Sequence, residues 1–355
     1  MSAARKPIVY FGDAAKAGQR ITIKTKRLIA AEVEEENVIV PFVRILDRET
    51  ARTLPYRRRK FEWKPPLHWG QVKLFASELE FLTEYGNRSN VVVYAGAADG
   101  RHIPFLANMF PNHKFMLWDP APMYRGCLEM PNIECHRELF TDEIATTFAG
   151  ANVLFISDIR SMPEGFDYGQ MTPELDQEIE DDVKRDMEYQ KKWYEIIKPV
   201  AAMLKFRLPY TPGQSTYLDG DVYFQAFAAE TSSESRLIVN PMRHTATDAM
   251  YDHEEYENFM YRFNRCTRIQ PDTDPLNEPL KELFNPVPCS YDTWALAYIV
   301  RKYMAEHDPR PAAEHRPGEI IYHLMHYIGS NFERGYANKK KIHDDHMIAN
   351  KDVTI

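Results

Sequence analysis

Apolar residues recur along this chain at several spacings, and each spacing predicts a different kind of element. Ile21-Thr-Ile-Lys-Thr-Lys-Arg-Leu28 alternates apolar and polar positions, as a half-buried strand does. Val38-Ile-Val-Pro-Phe-Val-Arg-Ile45 is a second strand-like run, so residues 1–66 read as a small β-type extension ending at Pro65-Pro66. After it, Val72, Phe75, Leu79 and Leu82 recur at helical intervals between Gln71 and Tyr85, and Gly86 stops that helix. Unbroken apolar runs then predict buried strands at Val91–Tyr94, Phe115–Trp118 and Val153–Ile156. Further strands are expected at Ala201–Phe206, Val222–Gln225 and Ser235–Val239.

Thr172-Pro173 opens a helix to about Ile197, with acids in its first turns and Lys191, Lys192 and Lys198 near its end. That polarity suits the helix dipole, so the acidic segment Glu174–Glu188 reads as helix chemistry rather than as a site. Strands alternating with helices imply an α/β domain, a mostly parallel sheet covered by helices on both faces. From about Pro241 the pattern is helical, with Tyr256, Phe259, Tyr261 and Phe263 as core and apolar residues recurring in 294–303 and 320–328. The expected division is therefore 1–66, a main domain over 67–330, and a polar tail over 331–355.

Composition narrows the class. A hydrophobic fraction of 44% in 355 residues suffices for a large core and excludes wholesale disorder. The net charge of −8 argues against indiscriminate coating of nucleic acid, while the basic runs Arg57–Lys60 and Lys339–Lys341 leave local RNA contact open. Cys127, Cys135, Cys266 and Cys289 form no Cys-x-x-Cys pair and read as reduced thiols. With neither a signal-peptide pattern nor an apolar run of membrane-spanning length, the expected location is intracellular: cytoplasm, or nucleus. His323/His326 and His343/His346 have ligand-like spacing. The first pair reads as packing and the second as tail, so no metal is expected.

Two features carry chemistry. A strand running into Gly96-Ala-Ala-Asp-Gly100 and then a helix brings backbone amides close to a ligand, and Asp119 at the next strand's tip is placed for a ribose diol. Nicotinamide- and flavin-binding folds use similar geometry. The absence of a close first Gly-x-Gly favours S-adenosylmethionine. The second feature is an acid or lysine followed two residues later by arginine, in Asp158/Arg160, Lys205/Arg207 and Glu234/Arg236. On extended backbone such pairs share a side, which offers carboxylates to hold a lysine and arginines for phosphates.

The segments Trp69-Gly-Gln-Val-Lys73-Leu-Phe, Val92-Val-Tyr94-Ala-Gly96-Ala-Ala-Asp-Gly100-Arg-His102-Ile, Met116-Leu-Trp-Asp119, Leu154-Phe-Ile-Ser-Asp158-Ile-Arg160-Ser161 and Leu204-Lys205-Phe-Arg207-Leu-Pro209-Tyr210 resemble the poxvirus cap-specific mRNA (nucleoside-2′-O-)-methyltransferases. The resemblance runs from about Leu67 to Asn264 and implies a Rossmann-like S-adenosylmethionine-dependent methyltransferase sheet. It also implies a second role, because that family is the processivity-conferring small subunit of a poly(A) polymerase. Capped mRNA and a polymerase catalytic subunit are the implied partners. A viral member would work in the cytoplasm, in the viral factory or virion.

Carried over position by position, the resemblance makes Lys73, Asp158, Lys205 and Glu234 a catalytic tetrad with Lys205 as general base. Gln71, Tyr94, Gly96, Ala97, Gly100, His102, Asp119 and Asp158 fall on the cofactor side, with Ala97 and Asp99 where the family has Ser and Pro. Arg160, Arg207 and Arg236 join the substrate side. For a methylated guanine, Tyr210 matches one stacking ring and Glu257 the acid that reads the base edge. The second ring's position is Thr231, which cannot stack, and the partner acid falls at Pro212. Asp219 or Asp221, and Tyr56, Phe61 or Trp63, are the candidate replacements. A scaffold that keeps the fold without the chemistry, and a methyltransferase of non-RNA substrates, are the competing readings.

Overall fold

A computed structural model describes residues 42–56, 67–161, 172–229, 232–244, 248–268, 290–311 and 314–328. The strand-like run Ile21–Leu28, the Pro65-Pro66 boundary, Phe61, Trp63, Thr231, His343/His346 and the 331–355 tail lie outside the described residues.

Seven strands form the main sheet: β1 (Val91–Ala95), β2 (Lys114–Trp118), β3 (Ile133–His136), β4 (Leu154–Ser157), β5 (Ala201–Phe206), β7 (Asp221–Tyr223) and β8 (Ser235–Val239). Their order is β3-β2-β1-β4-β5-β8-β7, and β1 to β5 run parallel. Only β8 and β7 introduce antiparallel pairing, β8 against β5 and β7 against β8. All four residues of β4 are buried. Because successive strand side chains point to opposite faces, both faces must be covered.

The covering helices are α1 (Leu67–Tyr85), α2 (Ile103–Met109), α3 (Arg125–Leu128), α4 (Asp142–Thr147), α5 (Pro173–Ile197), α6 (His253–Arg262) and α7 (Ser290–His307), with residues 317–328 also helical. α1 meets α2 and α7, whereas α5 packs on α4 and β5. Thr172 caps α5 by accepting from Leu175 N, and Pro173 occupies the first turn, as the sequence signal requires.

Three expectations change. The strand expected at Val222–Gln225 is Asp221–Tyr223. The region after Pro241 is not helical throughout: Asp248–Asp252 forms β9, paired antiparallel with β6 (Gln214–Leu218) in a second sheet. That pairing joins segments some thirty residues apart, which a local pattern cannot register. His323 and His326 are exposed beside Tyr322 rather than packed in a core. No group of three potential metal ligands occurs among the described residues.

The end of the N-terminal run adds to the sheet edge: Ile45 bridges Tyr223, and Leu46 N donates to Val222 O at 2.8 Å. Arg44 fastens it from beneath, donating to both Glu80 oxygens (3.1 and 2.6 Å) and to Tyr291 Oη at 2.6 Å. A second buried pair fixes the approach to β8. The guanidinium of Arg268 meets Asp292 at 3.0 and 2.8 Å and donates to the carbonyl of Ala228 at 2.7 Å, while Asn264 Nδ2 holds the carbonyl of Ser232 at 2.9 Å. Removing one charge would strand the other in an apolar setting, so Asp292→Asn is expected to cost about 3 kcal/mol of stability in denaturant unfolding.

Candidate functional site

The strand order reverses between β1 and β4, so a crevice opens beyond their carboxyl ends. Gly96 follows β1 with φ +81°, and a Cβ there would lie 2.7 Å from Ile159 N. The turn therefore crosses the chain leaving β4 at a distance only glycine permits. Gly100 closes the turn, also at positive φ (+69°). Asp119, just after β2, accepts from Ala98 N at 3.0 Å and Ala121 N at 2.8 Å. This acid holds the turn in shape and keeps its remaining lone pairs for a ligand.

The cofactor-side residues split into two layers. Ala97, Gly96 and Asp119 belong to the turn and its rim. Tyr94 and His102 are buried. His102 Nδ1 sits 2.7 Å from Gln71 Oε1 and Nε2 sits 2.8 Å from Glu78 Oε2, whose other oxygen accepts from Tyr94 Oη at 2.8 Å. Asp99, the residue in place of the family's proline, pairs with Arg101 at 2.7 Å and accepts from Gln71 Nε2 at 3.4 Å.

Three neighbouring strands and one helix bring the four key charges together. Asp158 follows β4, Lys205 lies in β5, and Glu234 precedes β8; Lys73 projects from α1. Lys205 Nζ is 3.1 Å from Asp158 Oδ1 and 3.6 Å from Glu234 Oε2, and Lys73 Nζ is 2.6 Å from Glu234 Oε1. Arg236 joins them, 2.7 Å from Asp158 Oδ1 and 3.7 Å from Glu234 Oε1. With its amide oriented to match its neighbours, Gln225 donates to Glu234 Oε1 at 3.1 Å and accepts from Arg236 Nε at 2.9 Å.

The cluster thus sets three cations against two carboxylates, one positive charge in excess. Burial by itself would raise both carboxyls, but the cations outweigh it: Arg236 and Lys205 hold Asp158 below its ordinary value, and Lys205, Lys73 and Arg236 hold Glu234 well below. Burial lowers the Lys73 ammonium, and the pull of Glu234 offsets this only in part.

The three arginines do not form one phosphate-facing surface. Arg236 is 2% exposed and committed to Asp158. Arg207 is paired with Glu180 and lies over the ring of Tyr210, 4.2 Å from its centroid. Arg160 alone is exposed. The pattern of residues two apart placed these side chains near one edge but could not show which would neutralise buried acids.

The acids of α5 also differ from expectation. Glu180 accepts from the backbone N of Tyr210 at 2.7 Å as well as pairing with Arg207, so it shapes the loop after β5. Asp186 accepts from Ser161 N and Oγ at 2.7 and 2.6 Å, fixing the loop after β4, and Gln190 donates to the Lys205 carbonyl at 3.1 Å. Sequence reasoning missed these residues because their signal, acids early in a helix, has a simpler cause.

Beyond the tetrad, Tyr210 remains half exposed, its hydroxyl accepting from Ser233 Oγ at 3.1 Å. Glu257 on α6 is partly buried, and burial together with the charge of Glu180 raises its carboxyl. Tyr56 reaches the same helix: its N donates to Asn258 Oδ1 at 2.7 Å and its ring meets Tyr261 edge-on. Asp221 lies opposite Ile238, at the end of β8 remote from Glu234, and pairs with Arg243. Asp219 faces Arg48 at 3.9 Å.

Compared with known proteins, residues 45–304 match the family described as poly A polymerase regulatory subunit. A myxoma virus cap-specific mRNA (nucleoside-2′-O-)-methyltransferase is 29% identical over 221 residues, 57% of this chain and 62% of the relative. Its fowlpox virus counterpart is 32% identical over 226 residues, 57% of this chain and 68% of the relative. The chain thus spans about six-tenths of the length of the myxoma relative. Among solved structures, a bluetongue virus VP4 chain, titled a multifunctional RNA-capping production line, covers 71% of this chain and 43% of its own at 12% identity and a TM-score of 0.40. At that distance the fold is argued from the strand order alone.

Glu234 provides a test of the cluster's electrostatics. Its carboxyl is depressed below the ordinary 4.5, so the stability it contributes is present above that value and is lost as pH falls through the folded-state value. Glu234→Gln is expected to lose about 3 kcal/mol near neutral pH. Denaturant unfolding at a series of pH values should show the gap from wild type closing below about pH 4.5. A gap independent of pH would contradict this.

Proposed function

Because the chain belongs to the poly A polymerase regulatory subunit family, we propose that it is an mRNA cap 2′-O-methyltransferase, acting on the ribose 2′-hydroxyl next to the cap. The observation that carries this reading is the convergence of Lys73, Asp158, Lys205 and Glu234 beside the Gly96–Gly100 turn. The myxoma and fowlpox relatives bear that activity in their names.

The turn, with Asp119 at its rim and Gln71 behind it, fits a nucleoside-bearing methyl donor: the positive-φ glycines leave backbone close to the crevice, and a carboxylate stands where a ribose would lie. S-adenosylmethionine, when bound, would supply an electrophilic methyl group on a sulfonium. Lys205 then accepts the proton of the ribose hydroxyl. It does so as a free amine. Asp158 and Glu234 orient the amine from two sides, and Arg236 and Lys73 keep those carboxylates ionised. Exposed Arg160 is left for an RNA phosphate.

Cap binding is assigned to Tyr210 and Glu257. A methylated guanine carries positive charge, which a tyrosine face favours by about 1–2 kcal/mol. Arg207 already lies over Tyr210, so one face of that ring remains for the base. Tyr56, whose backbone N donates to Asn258 next to Glu257 in sequence, is the proposed second ring in place of Thr231.

The family description favours a second role for the same chain, as a regulatory subunit on a poly(A) polymerase. Among the described residues no helix is long and apolar enough to cross a membrane. The proposed setting is the cytoplasm, in keeping with the viral source of the relatives.

Transfer of labelled methyl to capped RNA, uncapped RNA or no RNA separates these readings. Lys205→Ala is expected to lose at least about 100-fold in rate. If Lys73→Ala abolishes transfer while Lys205→Ala does not, the base is Lys73; a loss in neither removes the proposed mechanism. In fluorescence titrations a methylated cap dinucleotide should bind about tenfold more tightly than its unmethylated form. Equal affinities would remove the cap pocket.

A further inference from the structure

Beneath the turn lies a pair of ionisable side chains whose protons the proposed methyl transfer does not use. Glu78 on α1 and His102 at the start of α2 are both wholly buried. Their hydrogen atoms can be counted. The backbone N–H of His102 donates to Gln71 Oε1 at 3.2 Å, and since a peptide N–H only donates, that oxygen must face it. The other end of the amide agrees, because Gln71 Nε2 points at Asp99 Oδ1. His102 Nδ1 is 2.7 Å from the same Gln71 oxygen, so Nδ1 carries a hydrogen.

A neutral imidazole has no second hydrogen to give. Nε2 nevertheless lies 2.8 Å from Glu78 Oε2, and Glu78 Oε1 already receives the Tyr94 hydroxyl. A bare Nε2 facing an ionised carboxylate would set two lone pairs against each other with no water to separate them. One more proton, between Nε2 and Oε2, removes the conflict.

We propose that Glu78 and His102 hold this extra proton between them, and that the pair is a positioning device for the methyl-donor site. Two N–H groups of His102 then fix the Gln71 oxygen, which turns the amide nitrogen toward Asp99 and the turn. Gln71 and Lys73 share α1, so the same anchor ties the turn to the tetrad. Glu78 and His102 act through Gln71 and touch neither the donor nor the acceptor. The positioning role rests on the methyl-donor reading of the turn; the proton assignment does not.

Long-range proton–nitrogen NMR spectra of the full chain test the assignment, with His102→Gln identifying the ring signals. Nδ1 should show the shift of a protonated nitrogen, and the further proton should be found on Nε2 or on the Glu78 carboxyl. An unprotonated Nδ1, or an Nε2 that is bare with no proton on Glu78, overturns the proposal. Glu78→Gln keeps the shape and lets an amide donate to Nε2, leaving a singly protonated ring. The ring's Nδ1–H still meets Gln71 but without the positive charge that strengthens such a bond, so the variant's KM for S-adenosylmethionine should rise about tenfold with kcat changed less than about threefold. A variant that melts like wild type with KM unchanged overturns the positioning role. Should Glu78→Gln fail to fold, the wild-type spectra still decide the proton. Should wild type bind no S-adenosylmethionine, the proposed activity fails and the spectra decide the pair separately.

Discussion

Asp158 and Glu234 are carboxylates set where water hardly reaches, and the surrounding cations are what make that placement tolerable. Each removes part of the desolvation cost of its neighbours: Arg236 and Lys205 for Asp158, Lys73 and Lys205 for Glu234. The sheet topology follows from the same need. Lys205 stands near the end of β5, and Glu234 stands just before β8. Only because β8 runs antiparallel to β5, with Lys205 opposite Arg236, do a strand end and a strand start meet at one edge. A parallel β8 would have put Glu234 at the other side of the molecule.

Around that cluster the chain supplies anchors, each a buried polar group with an identified partner. α5 acts as a rail whose Asp186, Gln190 and Glu180 fix the segments after β4 and β5. Arg268 and Asn264 clamp the carbonyls of the segment that leads to Glu234. Glu78 and His102 hold the helix that bears Lys73 against the glycine turn. Mutual ion pairs give the tetrad its charge state, and these anchors give it geometry.

Strands β1, β2, β4 and β5 were legible because they read as apolar runs, as Val91–Tyr94 does, whereas the parallel strand β3 at the sheet edge, Ile133-Glu-Cys-His136, is only half-buried and gave no such signal. The glycine turn was legible because Gly96 must be glycine, and the chain leaving β4 lies where any Cβ would be. Strand β9 was not, since Asp248-Ala-Met-Tyr-Asp252 is neither continuous nor alternating and becomes a strand only through β6. The arginines show the same limit. Spacing brought Arg160, Arg207 and Arg236 to one edge, but Arg236 turned inward to neutralise Asp158, and only the assembled cluster reveals that demand. Glu78 gave no signal, because one acid among three on α1 (with Glu80 and Glu84) acquires its meaning only from His102 twenty-four residues later.

The central claim is that this edge deprotonates a ribose hydroxyl. The most direct measurement is methyl transfer to two capped RNAs that differ only at the first transcribed nucleotide, one with ribose and one with 2′-deoxyribose. Incorporation is expected into the ribose substrate and none into the deoxy substrate, although both bind with similar affinity. Equal incorporation into both would place the methyl group elsewhere and contradict the role assigned to Lys205 and its partners.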